Sequence, residues 1–89
     1  MEFEWSEAKR LKVVKERGLD FIDAQALFDG RPLVTVRSPR NAEDRWLSIG
    51  ELDHHIIAVV WIWRGAAIRI ITARRASDAE KRRYQAIFG

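Results

Sequence analysis

The residues of this chain that could do chemistry are arginines that lie close together in its last third. Three of them, Arg64, Arg69 and Arg74, fall within or beside a run of residues typical of β-strands. An arginine in an apolar strand costs free energy unless it is paired or faces a cleft, so three in succession indicate an anionic ligand. A guanidinium group suits phosphate because its N–H donors form a planar fork. The spacing predicts arginines held on rigid elements around a phosphodiester.

The charge distribution favours nucleic acid as the partner. The formal net charge of the 89 residues is +3 at pH 7, but residues 64–89 carry seven basic side chains against two acidic ones. Basic surfaces of this kind attract the phosphates of nucleic acids. The seven basic residues are Arg64, Arg69, Arg74, Arg75, Lys81, Arg82 and Arg83.

The composition excludes several other classes of protein. The chain is long enough for one domain, and 47% of its residues are hydrophobic, which suffices for a single core. The absence of cysteine excludes disulfides, thiolate catalysis and a cysteine-based zinc site. The longest apolar run, Ile56 to Trp63, is too short to span a bilayer, and the N-terminus has no signal-peptide pattern. The absence of cysteine leaves the compartment undetermined but is compatible with the cytoplasm. We expect a cytoplasmic protein with no membrane partner, no metal site and no cofactor.

Two helices are predicted before the strands. Ser6 is a suitable N-cap for a helix over Ser6 to Arg17, and Gly18 is a suitable stop. Asp20 can cap a second helix that ends before Gly30. A third helix is predicted from Asp78 to Ile87, because Ser77 and Glu80 match the capping box.

Four strands are predicted between the second and third helices. The third of them is apolar on both faces, which is typical of a central strand. Short connections favour an antiparallel meander with the helices mainly on one face, so the arginines would collect on the open face. We therefore predict a single two-layer α+β domain over residues 1–89, in the order α-α-β-β-β-β-α. The predicted strands are Leu33–Val36, Arg45–Leu52, His55–Trp63 and Ala66–Ala73, and a loop is predicted at residues 38–41.

Strict alternation along the fourth predicted strand places Arg69 and Arg74 on opposite faces. Both side chains cannot then point into one cleft. One of the two is therefore expected to be structural or to face a partner.

The chain resembles the BrnT toxins of bacterial type II toxin–antitoxin systems over nearly its whole length. The most specific motifs are the Phe-x-Trp opening at residues 3–5 and the Arg-Ile-Ile-Thr-Ala-Arg block at residues 69–74, followed by Glu80 and Tyr84. The chain departs from the family pattern after the first helix, where Arg17 stands in place of the usual histidine. Val13 replaces the usual asparagine, Ser6 the common aspartate, and Thr72 a serine.

The resemblance implies a RelE-like fold and a metal-independent ribonuclease that inhibits translation. It also implies neutralisation by a BrnA-like ribbon-helix-helix antitoxin, in a 2:2 complex that contacts operator DNA only through the antitoxin.

The chemistry of such a reaction can be stated from the residues themselves. Cleavage of RNA without a metal requires the 2′-hydroxyl to lose a proton, the phosphorane to be stabilised and the 5′-oxygen to gain a proton. Fixed arginines supply the second requirement. We assign Arg64, Arg74 and Tyr84 as catalytic candidates, with Tyr84 as a proton-transfer group. Arg74 and Tyr84 are both expected to face a solvent-accessible cleft and not the core. His54 and His55 fall at a predicted hairpin, where we interpret them as solvated turn residues.

Five further basic residues are candidates for RNA contact, and several candidates have an alternative interpretation. Arg74 could pair with Glu80, and Arg45 could pair with Glu43 or Asp44 on the surface. The candidates are Lys9, Arg45, Arg69, Arg75 and Arg83.

Two other classes of function fit the sequence. A non-catalytic RNA- or DNA-binding module needs only the basic face and would show salt-sensitive binding without cleavage. An interaction protein would instead use the face that carries Trp61 and Trp63, which also fit core packing or base stacking.

Overall fold

Five strands form one mixed sheet in the computed structural model, which describes residues 1–38 and 44–89. The strand order is β1-β5-β4-β3-β2, and neighbouring strands are antiparallel except that β1 runs parallel to β5. The strands are β1 (Phe3–Glu4), β2 (Leu33–Arg37), β3 (Trp46–Leu52), β4 (His55–Arg64) and β5 (Ala67–Arg75). The prediction of four antiparallel strands is therefore wrong. It failed because a two-residue strand is too short to show an alternating pattern.

The first helix begins and ends where its capping residues predict, and the third begins at its predicted capping box. In α1 (Glu7–Arg17), the Ser6 hydroxyl accepts a hydrogen bond from the Lys9 backbone N–H at 3.3 Å, and Gly18 ends the helix at φ 68°. The second helix is shorter than expected, since α2 (Phe21–Ala24) continues as a 3₁₀ turn over Gln25–Phe28. The capping box of α3 (Asp78–Phe88) is confirmed.

Helices lie on both faces of the sheet. Ile57 and Val59 of β4 pack in an apolar cluster with Val13 of α1 and Phe21 of α2. Ala58, between them in the strand, belongs to a second cluster with Tyr84 of α3. Successive strand residues point to opposite faces, so α1 and α2 cover one face and α3 covers part of the other.

The molecule therefore has three layers, and the prediction of two layers with an open face is wrong. The prediction of a central strand that is apolar on both faces is confirmed for β4. The α+β class is confirmed, while the RelE-like fold stays a prediction.

Most of the predicted loop at residues 38–41, and the predicted Glu43 partner of Arg45, lie outside the described residues. No helix among the described residues is long and apolar enough to cross a membrane.

Candidate functional site

A β-bulge determines which arginines share a face of the sheet. Along β4, Ile62 lies opposite Arg69, Val60 opposite Thr72 and Ala58 opposite Arg74. The register shifts by one residue between Val60 and Trp61, which leaves one extra residue on β5. Side chains that lie opposite each other across a ladder share a face.

Arg69 and Arg74 therefore lie on the same face of the sheet. Their β4 neighbours, Ile62 and Ala58, are four residues apart and so point to the same side. The prediction that they lie on opposite faces is wrong. Arg64, two residues after Ile62 in β4, lies on this face as well. We call the face of the sheet that carries Arg64, Arg69 and Arg74 the arginine face.

The structure does not bring Arg64 and Arg74 to one point on this face. Arg74 lies opposite Ala58, and Arg64 follows six residues later in β4. At the strand rise the two backbones are about 20 Å apart. Each side chain is paired with a different carboxylate, so the two guanidinium groups form two separate sites.

The first site is built around Glu4 of β1. Its carboxylate lies 3.4 Å from Arg69 Nη1 and 3.7 Å from Arg64 Nε. The parallel pairing of β1 with β5 places Glu4 directly beside Arg69. One carboxylate shared by two guanidinium groups leaves a surplus of positive charge. Sequence reasoning missed Glu4 as a partner because β1 was not predicted.

Two other predicted RNA-binding residues lie near this end of the sheet. Lys9 of α1 and Arg69 line one shallow pocket of about 290 Å³, so the structure brings them together. Arg45 lies immediately before β3, and its carbonyl oxygen accepts a hydrogen bond from the Ser38 backbone N–H at 2.9 Å. β3 begins at Trp46 rather than at Arg45 as predicted.

The second site is a bidentate ion pair between Arg74 and Glu80. Arg74 Nη1 donates to Glu80 Oε1 at 2.6 Å, and Nη2 donates to Oε2 at 3.0 Å. The Ser77 backbone N–H donates to Glu80 Oε1 at 2.8 Å, which ties the pair to the start of α3. The alternative interpretation of Arg74, as a partner of Glu80, is confirmed as a contact.

These contacts hold Arg74 without using all of its donors. Its Nη1 also lies 3.4 Å from the Arg75 carbonyl oxygen. A guanidinium group carries five N–H donors. The Nε–H and the second Nη2–H find no acceptor in the described part of the chain. The Arg74 side chain is 38% exposed, so these donors are accessible to an anion.

The ion pair determines the charge state of Glu80. The hydrogen bonds from Arg74 lower the pKa of Glu80 from 4.5 to about 2, helped by the Ser77 backbone N–H and opposed by partial burial. The same contact raises the pKa of Arg74. Both groups are therefore charged at neutral pH.

This shift predicts acid sensitivity. Because the folded-state pKa of Glu80 lies below its unfolded value, its contribution to the free energy of unfolding is complete above about pH 4.5 and is lost as pH falls toward 2. Screening at the partly exposed Arg74 limits the loss to about 1 kcal/mol. Chemical denaturation from pH 6 to pH 2 should show a smaller decrease for Glu80→Gln than for wild type. Equal decreases in the two proteins would contradict the prediction.

A groove lies beside the ion pair. It has a volume of about 570 Å³ and runs between α3 and the strands β2 and β3. Leu47 and Ile49 in its floor lie opposite Val60 and Ala58, so the groove is on the arginine face. Arg83 is on its wall, one helical turn after Glu80, as the prediction of RNA contact for Arg83 requires. The residues that line the groove include Val36, Leu47, Ser77, Glu80 and Arg83.

Tyr84 does not face this groove. It is only 9% exposed and packs in the apolar cluster with Ile49 and Ala58, and its ring contacts Phe88 at 5.2 Å between centroids. Its exposed edge borders a different hollow, which also contains the acidic residues Asp29, Glu51 and Asp53. The expectation that Tyr84 faces a solvent-accessible cleft together with Arg74 is wrong. Carboxylates around the hollow would repel a phosphate.

Arg17 at the end of α1 and Arg75 at the end of β5 make contacts that the sequence did not show. Arg17 Nη1 donates to Thr72 Oγ1 at 3.1 Å and to the Ala73 carbonyl oxygen at 3.0 Å, so it covers the part of β5 that β1 leaves unpaired. Arg75 Nη1 lies 2.9 Å from His55 Nδ1. His55 is therefore not a simple solvated turn residue.

The comparisons with known proteins point to one family. A model of the family described as "Ribonuclease toxin, BrnT, of type II toxin-antitoxin system" matches residues 5–80. The match includes α1, the whole sheet from β2 to β5 and the Arg74–Glu80 pair. No curated protein matches the chain.

Proposed function

The chain belongs to the BrnT family of ribonuclease toxins of type II toxin–antitoxin systems, and we propose that it cleaves RNA at the Arg74–Glu80 pair without a metal ion. The family implies RNA as the substrate and an antitoxin as the partner. The observation that carries the proposal is the bulge in β5, because it puts Arg74 on the same face of the sheet as Arg69, and Glu80, the partner of Arg74, lines an open groove on that face.

The proposed reaction uses both members of the ion pair. Glu80 is ionised at neutral pH and accepts the proton of the 2′-hydroxyl. The 2′-oxygen then bonds to phosphorus, while the free donors of Arg74 stabilise the charge of the phosphorane. The bond from phosphorus to the 5′-oxygen breaks, the 5′-oxygen takes a proton from solvent, and a 2′,3′-cyclic phosphate remains. A carboxylate with a pKa of about 2 is a weak base, so we expect a slow enzyme.

The other basic residues hold the RNA in this proposal. Arg64 moves from the catalytic set to RNA binding, because it lies with Arg69 and Glu4 at the far end of the arginine face. Lys9 of α1 shares a pocket with Arg69 and contacts the RNA from there, and Arg83 contacts the RNA at the groove. Tyr84 supports α3 by packing and is not retained as a proton-transfer group.

Cleavage in the presence of a chelator tests the proposal. The purified chain, incubated with RNA, should cleave at the same rate within about twofold with and without EDTA, because arginine supplies the charge stabilisation that a metal ion would give. Among the described residues, no three His, Asp or Glu side chains lie close enough to share a metal ion. Activity that disappears in EDTA and returns with magnesium would contradict metal independence. Tight binding without cleavage would favour the non-catalytic module.

The antitoxin is the second part of the proposal. We propose a ribbon-helix-helix antitoxin that covers the arginine face with acidic and apolar residues in a 2:2 complex, in a cytoplasmic setting where free toxin inhibits translation. Co-expression should relieve growth inhibition, and the two proteins should elute together in size-exclusion chromatography at micromolar concentration. Separate elution at that concentration would contradict a tight complex.

A further inference from the structure

A second basic pocket lies at the opposite flank of α3 from the groove. It has a volume of about 220 Å³ and lies between α3 and the ends of β4 and β5. Its polar lining consists of Arg75, His55, Lys81, Gln85 and His54. We propose that this pocket binds a backbone phosphate of the RNA, away from the bond that is cleaved. The inference rests on the proposed function, since it assumes an RNA substrate.

The contact between Arg75 and His55 gives the pocket its donor pattern. A guanidinium group can only donate, so His55 Nδ1 must accept the hydrogen bond of 2.9 Å from Arg75 Nη1. The proton of the neutral imidazole is then on Nε2, where it can be donated to a ligand. Arg75 keeps further N–H donors, and Lys81 and Gln85 add more from α3. The pocket therefore offers several donors to one anion.

The charge of the pocket distinguishes it from the sites in which an arginine is paired with a carboxylate. Arg10, Arg31, Arg37, Arg64, Arg69 and Arg74 each have a carboxylate within 4.0 Å. Within the described part of the chain, Arg75 and Lys81 have none, and no acidic side chain lines the pocket.

The neighbouring side chains limit where the anion can sit. On the far side of His54 the adjoining hollow contains Asp29, Glu51 and Asp53, and Arg31, which also lines it, is paired with Asp29, so the hollow would repel a phosphate. An anion is therefore confined to the side of Arg75 and Lys81.

The position of the pocket suits a neighbouring phosphate of the same RNA strand. Arg74 and Arg75 are consecutive, as are Glu80 and Lys81, yet Arg74 contacts Glu80 while Arg75 contacts His55. A strand that passes the end of β5 can therefore place one phosphate at each arginine. Binding in this pocket would fix the register of the RNA relative to the Arg74–Glu80 pair.

The test measures RNA affinity as a function of salt with a 2′-O-methyl oligonucleotide, which cannot be cleaved. Lys81→Ala and Arg75→Gln should each weaken binding by about tenfold and reduce the salt slope by about 0.7, the value for one phosphate contact on a single strand. His55→Asn keeps an acceptor for Arg75 and should lose less affinity than Arg75→Gln. Arg82→Ala is the matched control, because it removes an exposed positive charge from the next position of α3.

Two further comparisons distinguish a failure of the pocket proposal from a failure of the proposed function. Oligonucleotides with and without a 5′-phosphate should lose affinity equally in the variants; a loss confined to the phosphorylated one would overturn a backbone site in favour of a terminal one. If Lys81→Ala and Arg75→Gln behave like Arg82→Ala while wild type binds and cleaves RNA, the pocket proposal is wrong and the proposed function stands. If wild type binds RNA with the expected variant effects but does not cleave unmodified RNA, the proposed function fails and the pocket stands.

Discussion

Arg74→Lys is expected to lower the single-turnover rate of RNA cleavage by about 10²- to 10³-fold, the usual cost of removing a donor aimed at transition-state charge. Lysine keeps the positive charge but cannot reproduce the bidentate contact with Glu80 or the fixed direction of the remaining donors. RNA affinity should change by less than about threefold, because the lost interaction acts mostly in the transition state. Rapid-mixing cleavage assays and anisotropy binding with the same oligonucleotide measure the two effects.

The control for this variant is Arg82→Lys, the same exchange at an exposed position of α3. It should leave the cleavage rate unchanged. The thermal unfolding of Arg74→Lys must also be measured, since the ion pair anchors the start of α3. A folded Arg74→Lys protein that cleaves at the wild-type rate would remove Arg74 from the proposed reaction, and Arg69 beside Glu4 would then be the next candidate.

Local sequence signals predicted the elements that hold this site. The ends of α1 and α3 follow from Ser6, Gly18 and the Ser77–Glu80 capping box, because those residues satisfy backbone groups next to themselves in the chain. The capping box also predicted that α3 starts just after β5, so that Glu80 lies near the end of β5. The contact between Glu80 and Arg74 could therefore be predicted. The apolar character of β4 on both faces correctly indicated a central strand.

Features that depend on distant residues could not be predicted in the same way. The two-residue β1 exists only because β5 offers an unpaired edge, and Glu4 becomes a partner of Arg64 and Arg69 only through that pairing. The bulge in β5 depends on how β5 pairs with β4, which the sequence of β5 alone does not show. One extra residue in a strand reverses the face of every side chain beyond it. Strict alternation therefore assigned Arg69 and Arg74 to opposite faces.

The burial of Tyr84 could have been predicted from the sequence of α3. The helix α3 contains few large apolar residues, and an amphipathic helix needs at least one of them against the sheet. Tyr84 lies one turn after Glu80 and fills that position, while Ile87 and Phe88 near the end of the helix are exposed. The expectation that it faces a cleft came from its proposed role in proton transfer, and residue type and spacing do not show which side of a helix is covered.

Glu80→Gln is expected to lower the cleavage rate by about 10²- to 10⁴-fold, the range for loss of a general base. Glutamine retains an oxygen that can accept hydrogen bonds from Arg74 and from the Ser77 backbone N–H, and it is also accepted at this position of a capping box. The fold at pH 7 should therefore survive, and what is removed is the negative charge that takes the proton. The measurement is single-turnover cleavage at saturating protein, with unfolding by denaturant as the check on structure.

The matched control is Asp78→Asn, which removes a carboxylate from the first turn of the same helix. It should cost a few tenths to about 1 kcal/mol of stability through the helix dipole and leave the cleavage rate unchanged. The double variant Arg74→Lys with Glu80→Gln should lose little more activity than the worse single variant, because residues that act as a unit are not additive. If Glu80→Gln cleaves as fast as wild type, Glu80 serves only to hold Arg74. The proton acceptor must then be another group that reaches the groove.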